Sequence, residues 1–291
     1  MRSVSIIGLG RVGSALALSL PGTEYAIDKL VVRDKPSFFL PEELRKRVIA
    51  IEQLEGLTSD IVFITTLDGQ IQEAAVAIRP FLTGSTVFHT SGSQPSSILE
   101  QLRGAAGRIG SIHPLVSISD PTLGPERFRG SFFCVEGDDE AVRLGHEIVE
   151  NLGGKPFSID TRYKTLYHAA AVTACGHMVA LFDSAVELMC ETGLSAERSK
   201  EVLLPLVAST IENLERQTAA EALTGTFARA DSDTFTRHIG ALNQFATDEL
   251  LEIYLLLGER SLELAAKQGV SAERIEKLRA KVAVAKSKLK W

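Results

Sequence analysis

Three glycines in the run GLGRVG, namely Gly8, Gly10 and Gly13, form a complete G-x-G-x-x-G near the start of the chain. Each glycine has a separate physical role. One makes a tight turn, one lets backbone approach a pyrophosphate, and one permits close packing of helix on strand. Leu9, Arg11 and Val12 fill the positions between them. The motif has chemical meaning only when a strand precedes it and a helix follows. Both conditions are met here. Val4–Ile7 is a short β-branched run, and Arg11–Leu20 spaces its apolar residues as a helix does before Pro21-Gly22 stops it. The free N–H groups of such a helix start favour phosphate, so a dinucleotide cofactor is expected.

Which dinucleotide depends on the end of the next strand. An acidic residue about 20 positions beyond the motif would hold the ribose hydroxyls of NAD. Arg33 stands at that place, with Asp34 after it. A guanidinium can pair with the 2′-phosphate of NADP, so NADP is the expected cofactor. Asp34 on the ribose, with Arg33 turned to water, is the other arrangement the residues allow.

Hydride chemistry on a carbonyl or imine further needs a proton donor near the nascent alkoxide or amine and an anchor for the substrate's charge. Thr66 and Asp68 follow the strand Ile61–Thr65 and should border the cofactor, as should Ser91 after the strand Thr86–His89. The hydroxyl of Ser91 and the N–H groups around Gly92 can also hold a carboxylate. His113 precedes Pro114 at another strand end, the ligand-facing edge of a parallel sheet. Lys164 and His168 are four residues apart on one helical face, and either can donate the proton, although Lys164 taken alone reads as a surface lysine. Arg229 is the best-motivated carboxylate anchor, since a guanidinium binds a carboxylate bidentately. Asp231 can orient Arg229 or His238. No HExxH, paired cysteines or carboxylate cluster suggests a metal.

These residues need elements to position them. Strand patterns at Val4–Ile7, Leu30–Val32, Ile61–Thr65, Thr86–His89, Arg108–Ile112, Phe132–Val135 and Pro156–Ile159 alternate with helical patterns. That alternation predicts an α/β fold with a doubly wound, mostly parallel sheet. Beyond about residue 160 the pattern is helical only, with a single long helix expected over Tyr163–Thr192 and others over Glu197–Gln217, Thr234–Leu257 and Ser271–Leu289. Two domains follow, 1–160 binding the nucleotide and 161–291 helical. Of the 291 residues, 45% are hydrophobic and 23% charged, enough to bury a core. The net charge of −6 argues against nucleic acid as a partner. Cys134, Cys175 and Cys190 are too scattered for a disulfide framework. The opening residues make a poor signal peptide, and no apolar stretch reads as a membrane span. A cytoplasmic protein without membrane contact is expected.

Several motifs occur in a particular order: HTSGS at His89–Ser93, SIHPL at Ser111–Leu115, KTLYHAAAV at Lys164–Val172, ALTGTFARAD at Ala222–Asp231 and RHIGAL at Arg237–Leu242. The set resembles the Rossmann-like proteins that carry the domain of unknown function 2520, relatives of the 6-phosphogluconate dehydrogenase-like and ketopantoate reductase-like oxidoreductases. The histidine-proline of SIHPL also resembles that of prephenate dehydrogenases. The resemblance implies a C-terminal all-helical dimerisation domain, a homodimer, and an active site in a cleft between the domains. It implies an NADPH-dependent reductase of a small carboxylate-bearing carbonyl or imine, ketopantoate or a similar 2-oxo or 3-hydroxy acid. Two places depart from the family pattern. Cys175-Gly176 stands where Ser-Asn is usual, and GTFARAD where GPIARGD is usual, with Arg229 and Asp231 kept. The asparagine amide helps to position substrate in related reductases, so its replacement leaves open a catalytically silent NADP-binding regulator or sensor.

Overall fold

The computed structural model describes residues 1–33 and 38–289, so Asp34 lies outside the described residues. Packing divides the chain into two compact units, Met1–Gly176 and His177–Trp291. The change from mixed to helical pattern near residue 160 therefore precedes the change in packing. The physical reason is visible in the residues between: Lys164, Thr165 and Tyr167 hydrogen-bond to groups on the sheet unit.

The first unit contains β1 (Arg2–Ile7), α1 (Arg11–Ser19), β2 (Tyr25–Val32), α2 (Glu42–Arg45), β3 (Val48–Ala50), β4 (Ile61–Ile64) and α3 (Ile71–Ile78). It continues with β5 (Thr86–His89), β6 (Arg108–Pro114), α4 (Gly124–Phe128), β7 (Phe132–Gly137), α5 (Asp139–Asn151), β8 (Lys155–Phe157) and α6 (Lys164–Ala174). The strands form one sheet in the order β3-β2-β1-β4-β5-β6-β7-β8. All neighbouring pairs are parallel except β6 with β7. The expected doubly wound, mostly parallel α/β class holds. Chain order reverses direction between β1 and β4, which opens a crevice at the carboxyl ends of those strands.

Consecutive strand residues point to opposite faces, and here both faces are covered. Val4, Ile6 and Phe63 join Leu16, Phe128, Phe133 and Ile148 on one side. Ile7, Val62, Ile64 and Val87 join Ile71, Ile78 and Leu99 on the other. That two-sided burial is why the strands read as unbroken apolar runs rather than as alternation. The short strand β3 is not legible in the sequence, because three half-buried residues at a sheet edge carry almost no pattern.

The second unit is all helical: α7 (Gly176–Cys190), α8 (Ala196–Arg216), α9 (Ala219–Ala222), α10 (Gly225–Ala228), α11 (Ser232–Phe245), α12 (Asp248–Lys267) and α13 (Ala272–Lys286). Phe235, Leu251, Leu255, Leu262, Ile275, Leu278 and Val282 make its core. Gly258 lets the Phe227 ring approach, since a Cβ there would lie 2.5 Å from its Cζ. Two expected long helices are each two. The first breaks at Cys175, where φ −116° and ψ −62° distort the turn before Gly176. The second breaks at Ala246, and Thr247 caps α12 by accepting from the Leu250 N–H.

The expectation that no stretch reads as a membrane span is corrected. Within the helical run Thr161–Cys190, which spans 30 residues, an 18-residue window reaches a mean hydropathy of 1.4, by length and composition enough to cross a membrane. The run is hard to see in the sequence because Lys164, His168, His177 and Asp183 interrupt the apolar letters, while the average over an 18-residue window stays high. No residue of that window is buried. Leu166 in the first unit, and Met178, Val179 and Leu181 in the second, are all exposed. In α8 only Ser199 is buried, and Leu204, Leu206, Ile211 and Leu214 face outward.

Candidate functional site

The carboxyl ends of β1, β2 and β4 surround an open cleft of about 700 Å³ in the first unit. Gly8, Leu9, Gly10, Val31, Arg33 and Thr66 line it, with Glu73 on α3. The three glycines divide their work as the motif requires. Gly8 has φ +97°, a conformation other residues rarely adopt. Around Gly10 nothing lies within 4 Å of a would-be Cβ, which leaves open space over the turn. A Cβ on Gly13 would lie 2.2 Å from the Gly8 carbonyl oxygen and 2.4 Å from Thr65 Oγ1, so α1 packs there without a side chain. The Thr65 hydroxyl fixes the turn by donating to the Gly8 carbonyl at 2.6 Å. Gly10 caps α1 with no side-chain hydrogen bond, and no acidic residue sits in the first turn. Its leading N–H groups are therefore available to an anion. Thr66 Oγ1 is buried without a partner among the described residues.

Arg33 reaches the cleft and pairs with Glu73 at 3.6 Å, with side chains 55% and 70% exposed. A pair this exposed is weak, so the guanidinium can exchange Glu73 for a stronger anion. Sequence reasoning misses Glu73, since nothing about a lone glutamate on α3 announces that it faces Arg33. Leu9, Gly10, Arg33 and Thr66 line the cleft with Gly8. Arg11 and Val12 begin α1 behind the turn, and Asp68 and Ser91 are placed elsewhere. Asp68 accepts from the Ser93 hydroxyl at 2.7 Å. The Ser91 hydroxyl accepts the N–H groups of Ser93 and Gln94, closing the loop after β5.

That loop belongs to a second polar cluster in the same unit. Strand register pairs His89 with Ser111 and Ser111 with Glu136, so three polar residues stand in one row across β5, β6 and β7. Lys164 closes over the row. Its ammonium donates to Ser111 Oγ at 2.7 Å and to Glu136 Oε1 at 3.2 Å, with both charged side chains under 4% exposed. The expectation of a surface lysine is thereby corrected: the first residue of α6 points back into the sheet, where Glu136 waits. Glu136 Oε1 also accepts the Ser96 N–H at 2.9 Å.

Two residues beyond Ser111, on the same face of β6, His113 Nδ1 meets the Tyr167 hydroxyl at 2.7 Å. The His113 and His168 rings stand edge to face with centroids 5.7 Å apart. Gly92 lies between them: a Cβ there would come 2.4 Å from His168 Nδ1 and 2.7 Å from His113 Nε2. Burial, and then the Lys164 ammonium, push His113 down to about 4 and His89 down to about 3. Burial raises the Tyr167 hydroxyl above its ordinary value. Both of these histidines are therefore neutral near pH 7. His89, Glu136 and His168 each keep one buried polar atom without a partner among the described residues.

The structure thus brings together His113, Lys164 and His168, three widely separated candidates. Arg229 and Asp231 lie in the second unit. The Asp231 carboxylate caps α11, accepting the Asp233 and Thr234 N–H groups and the Thr234 hydroxyl. His238 Nδ1 meets the Tyr254 hydroxyl at 2.7 Å. The Arg229 side chain is exposed and forms no ion pair among the described residues.

The reversal point of the sheet, the glycine turn and the cleft above it define a Rossmann-type α/β unit followed by an all-helical region. The family described as "Domain of unknown function (DUF2520)" matches residues 131–261. No curated protein matches the sequence. Among solved structures, protein TM1727 from Thermotoga maritima is similar with a TM-score of 0.70 at 21% identity, covering 91% of this chain and 99% of its own. Protein BF3122 from Bacteroides fragilis gives 0.70 at 21% identity, covering 90% and 98%. The pyrroline carboxylate reductase of Plasmodium falciparum with NADP bound gives 0.59 at 15% identity, covering 96% and 97%.

Proposed function

We propose that this chain is an NADPH-dependent reductase of a small carboxylate-bearing carbonyl or imine, such as ketopantoate or a similar 2-oxo or 3-hydroxy acid. The observation that carries the reading is the cleft over the glycine turn. Its open space at Gly10, free helix-start N–H groups, orphaned Thr66 hydroxyl and Arg33 at the far wall suit a dinucleotide with a 2′-phosphate. The likeness to a reductase with NADP bound supports the same direction. The cofactor would supply the hydride. The chain's part is to hold it, to place a proton donor from the His113, Lys164 and His168 group, and to fix the substrate carboxylate. For the carboxylate, Arg229 remains our candidate anchor, with Asp231 shaping the loop that carries it.

Arg33 offers the direct test. Arg33→Ala should weaken NADPH by about 1.5–3 kcal/mol, the range for hydrogen bonds to charged groups, and leave NADH almost unchanged. Competitive titration of both cofactors measures this. Equal affinity of wild type for the two, or an unaltered NADPH affinity in the variant, would reject the 2′-phosphate role.

The same reading includes a cytoplasmic homodimer. The outward apolar residues of α7 and α8 form more exposed hydrophobic surface than a lone helical layer ordinarily leaves in water. A second copy covering them also accounts for the apolar run Thr161–Cys190 without a bilayer, since its first turn anchors Lys164 against Ser111 and Glu136. Sedimentation at micromolar concentration, without detergent, should return twice the 31.5 kDa chain mass. A monomer, or a chain that partitions into membranes, would sink this part of the reading.

A further inference from the structure

We propose that Glu73 is a specificity-determining residue of the cofactor cleft. It occupies Arg33 in the place of the 2′-phosphate, and so holds the preference for NADPH over NADH below what Arg33 alone would give. The inference rests on the reading of Arg33 as the partner of the 2′-phosphate, and it gives a role to a residue that reading leaves unassigned.

Among the described residues lining the cleft, Arg33 carries the positive charge and Glu73 the negative one. Arg33 follows β2, Glu73 lies in the first turn of α3, and their charged groups stand 3.6 Å apart. The guanidinium therefore already holds an anion inside the space that would receive the cofactor. A 2′-phosphate brings about −1.5 to −2 charges near neutral pH. To reach Arg33 it must displace the carboxylate.

The displaced carboxylate has nowhere distant to go. Ile71, Ala75 and Ile78 bury the inner face of α3 and fix the backbone that carries Glu73. Its side chain can turn toward water, but the charge stays within a few bond lengths of Arg33. Two effects thus oppose the phosphate: competition for the guanidinium, and repulsion by a like charge nearby. NADH meets neither, because its ribose carries a hydroxyl at that place. The pyrophosphate is common to both cofactors and cancels in the comparison.

A purely structural duty predicts something else. An acidic side chain in the first turn of a helix favours the helix dipole. Neutralising it would then lower the melting temperature and leave the choice between cofactors untouched. With its side chain 70% exposed, Glu73 can be replaced without opening the core.

The test is calorimetric titration of the full chain with adenosine 2′,5′-bisphosphate and with AMP, two fragments that differ in the 2′-phosphate and need no turnover. Wild type, Glu73→Gln and Arg33→Ala are compared. Glu73→Gln should tighten the bisphosphate about three- to fivefold, the reach of an exposed charge pair, and leave AMP unchanged. High salt should shrink that gain, because the effect is one of exposed charges. Equal changes for the two fragments, or a gain indifferent to salt, overturns the role of Glu73. So does an unaltered bisphosphate affinity in Glu73→Gln while Arg33→Ala weakens it, a result that leaves the 2′-phosphate reading standing. If Arg33→Ala binds the bisphosphate as wild type does, that reading fails and the role of Glu73 goes with it.

Discussion

Replacing Glu136 by alanine is expected to destabilise the chain by about 3–5 kcal/mol, the usual cost of leaving one member of a buried ion pair without its partner. Lys164 is 1% exposed, and among the described residues its countercharge is Glu136 at 3.2 Å. Without the carboxylate, Ser111 Oγ would be left as the hydrogen-bond partner of the ammonium among the described residues. The Ser96 N–H would lose its acceptor as well. The paired change Glu136→Leu with Lys164→Met removes both charges and should cost clearly less than Glu136→Ala alone, because no uncompensated charge stays in the interior. Urea denaturation of the three proteins decides the matter. If Glu136→Ala melts like wild type, the buried pair is not what the geometry indicates.

Acid should weaken the protein through its histidines before most carboxylates are protonated. His89 has a folded value of about 3 and His113 of about 4, both below the ordinary 6.5, first because of burial and next because of Lys164. The unfolded chain therefore binds more protons than the folded one below about pH 6.5. The stabilisation is complete above that value and is lost as pH falls toward 4 and then 3. Each shifted unit corresponds to about 1.4 kcal/mol, so His89 alone should account for roughly 3 kcal/mol between pH 7 and pH 4. Comparing the pH slope of stability in wild type and His89→Asn isolates the contribution. Equal slopes between pH 6.5 and pH 4 in the two proteins would refute it.

Much of the fold is legible in the residues because it depends on local pattern. The GLGRVG turn between a β-branched run and a helix needs only neighbours in sequence, and its three glycines behave as expected. The sheet is legible because two-sided burial makes each strand a continuous apolar run. The polar row His89, Ser111 and Glu136 is not, since it exists only through register between three strands. Lys164 misleads for the same reason: a lysine opening a helix looks solvated until the carboxylate across the sheet is known. Tyr167 is easily passed over beside two more conspicuous neighbours, because its link to His113 joins residues 54 positions apart. Glu73 illustrates the limit on the cofactor side, where a charge facing Arg33 comes from a helix that the glycine motif does not describe.

The central claim, a dinucleotide seated over the glycine turn of the first unit, is tested most directly by amide hydrogen exchange of the full chain with and without saturating NADPH. Slowed exchange is predicted in peptides spanning Gly8–Ser14 and Thr65–Gln70, where the helix-start N–H groups and Thr66 border the cleft. The same is predicted at the end of β2 near Arg33. Unchanged exchange in all three segments under saturating NADPH, or protection confined to the second unit, would contradict it.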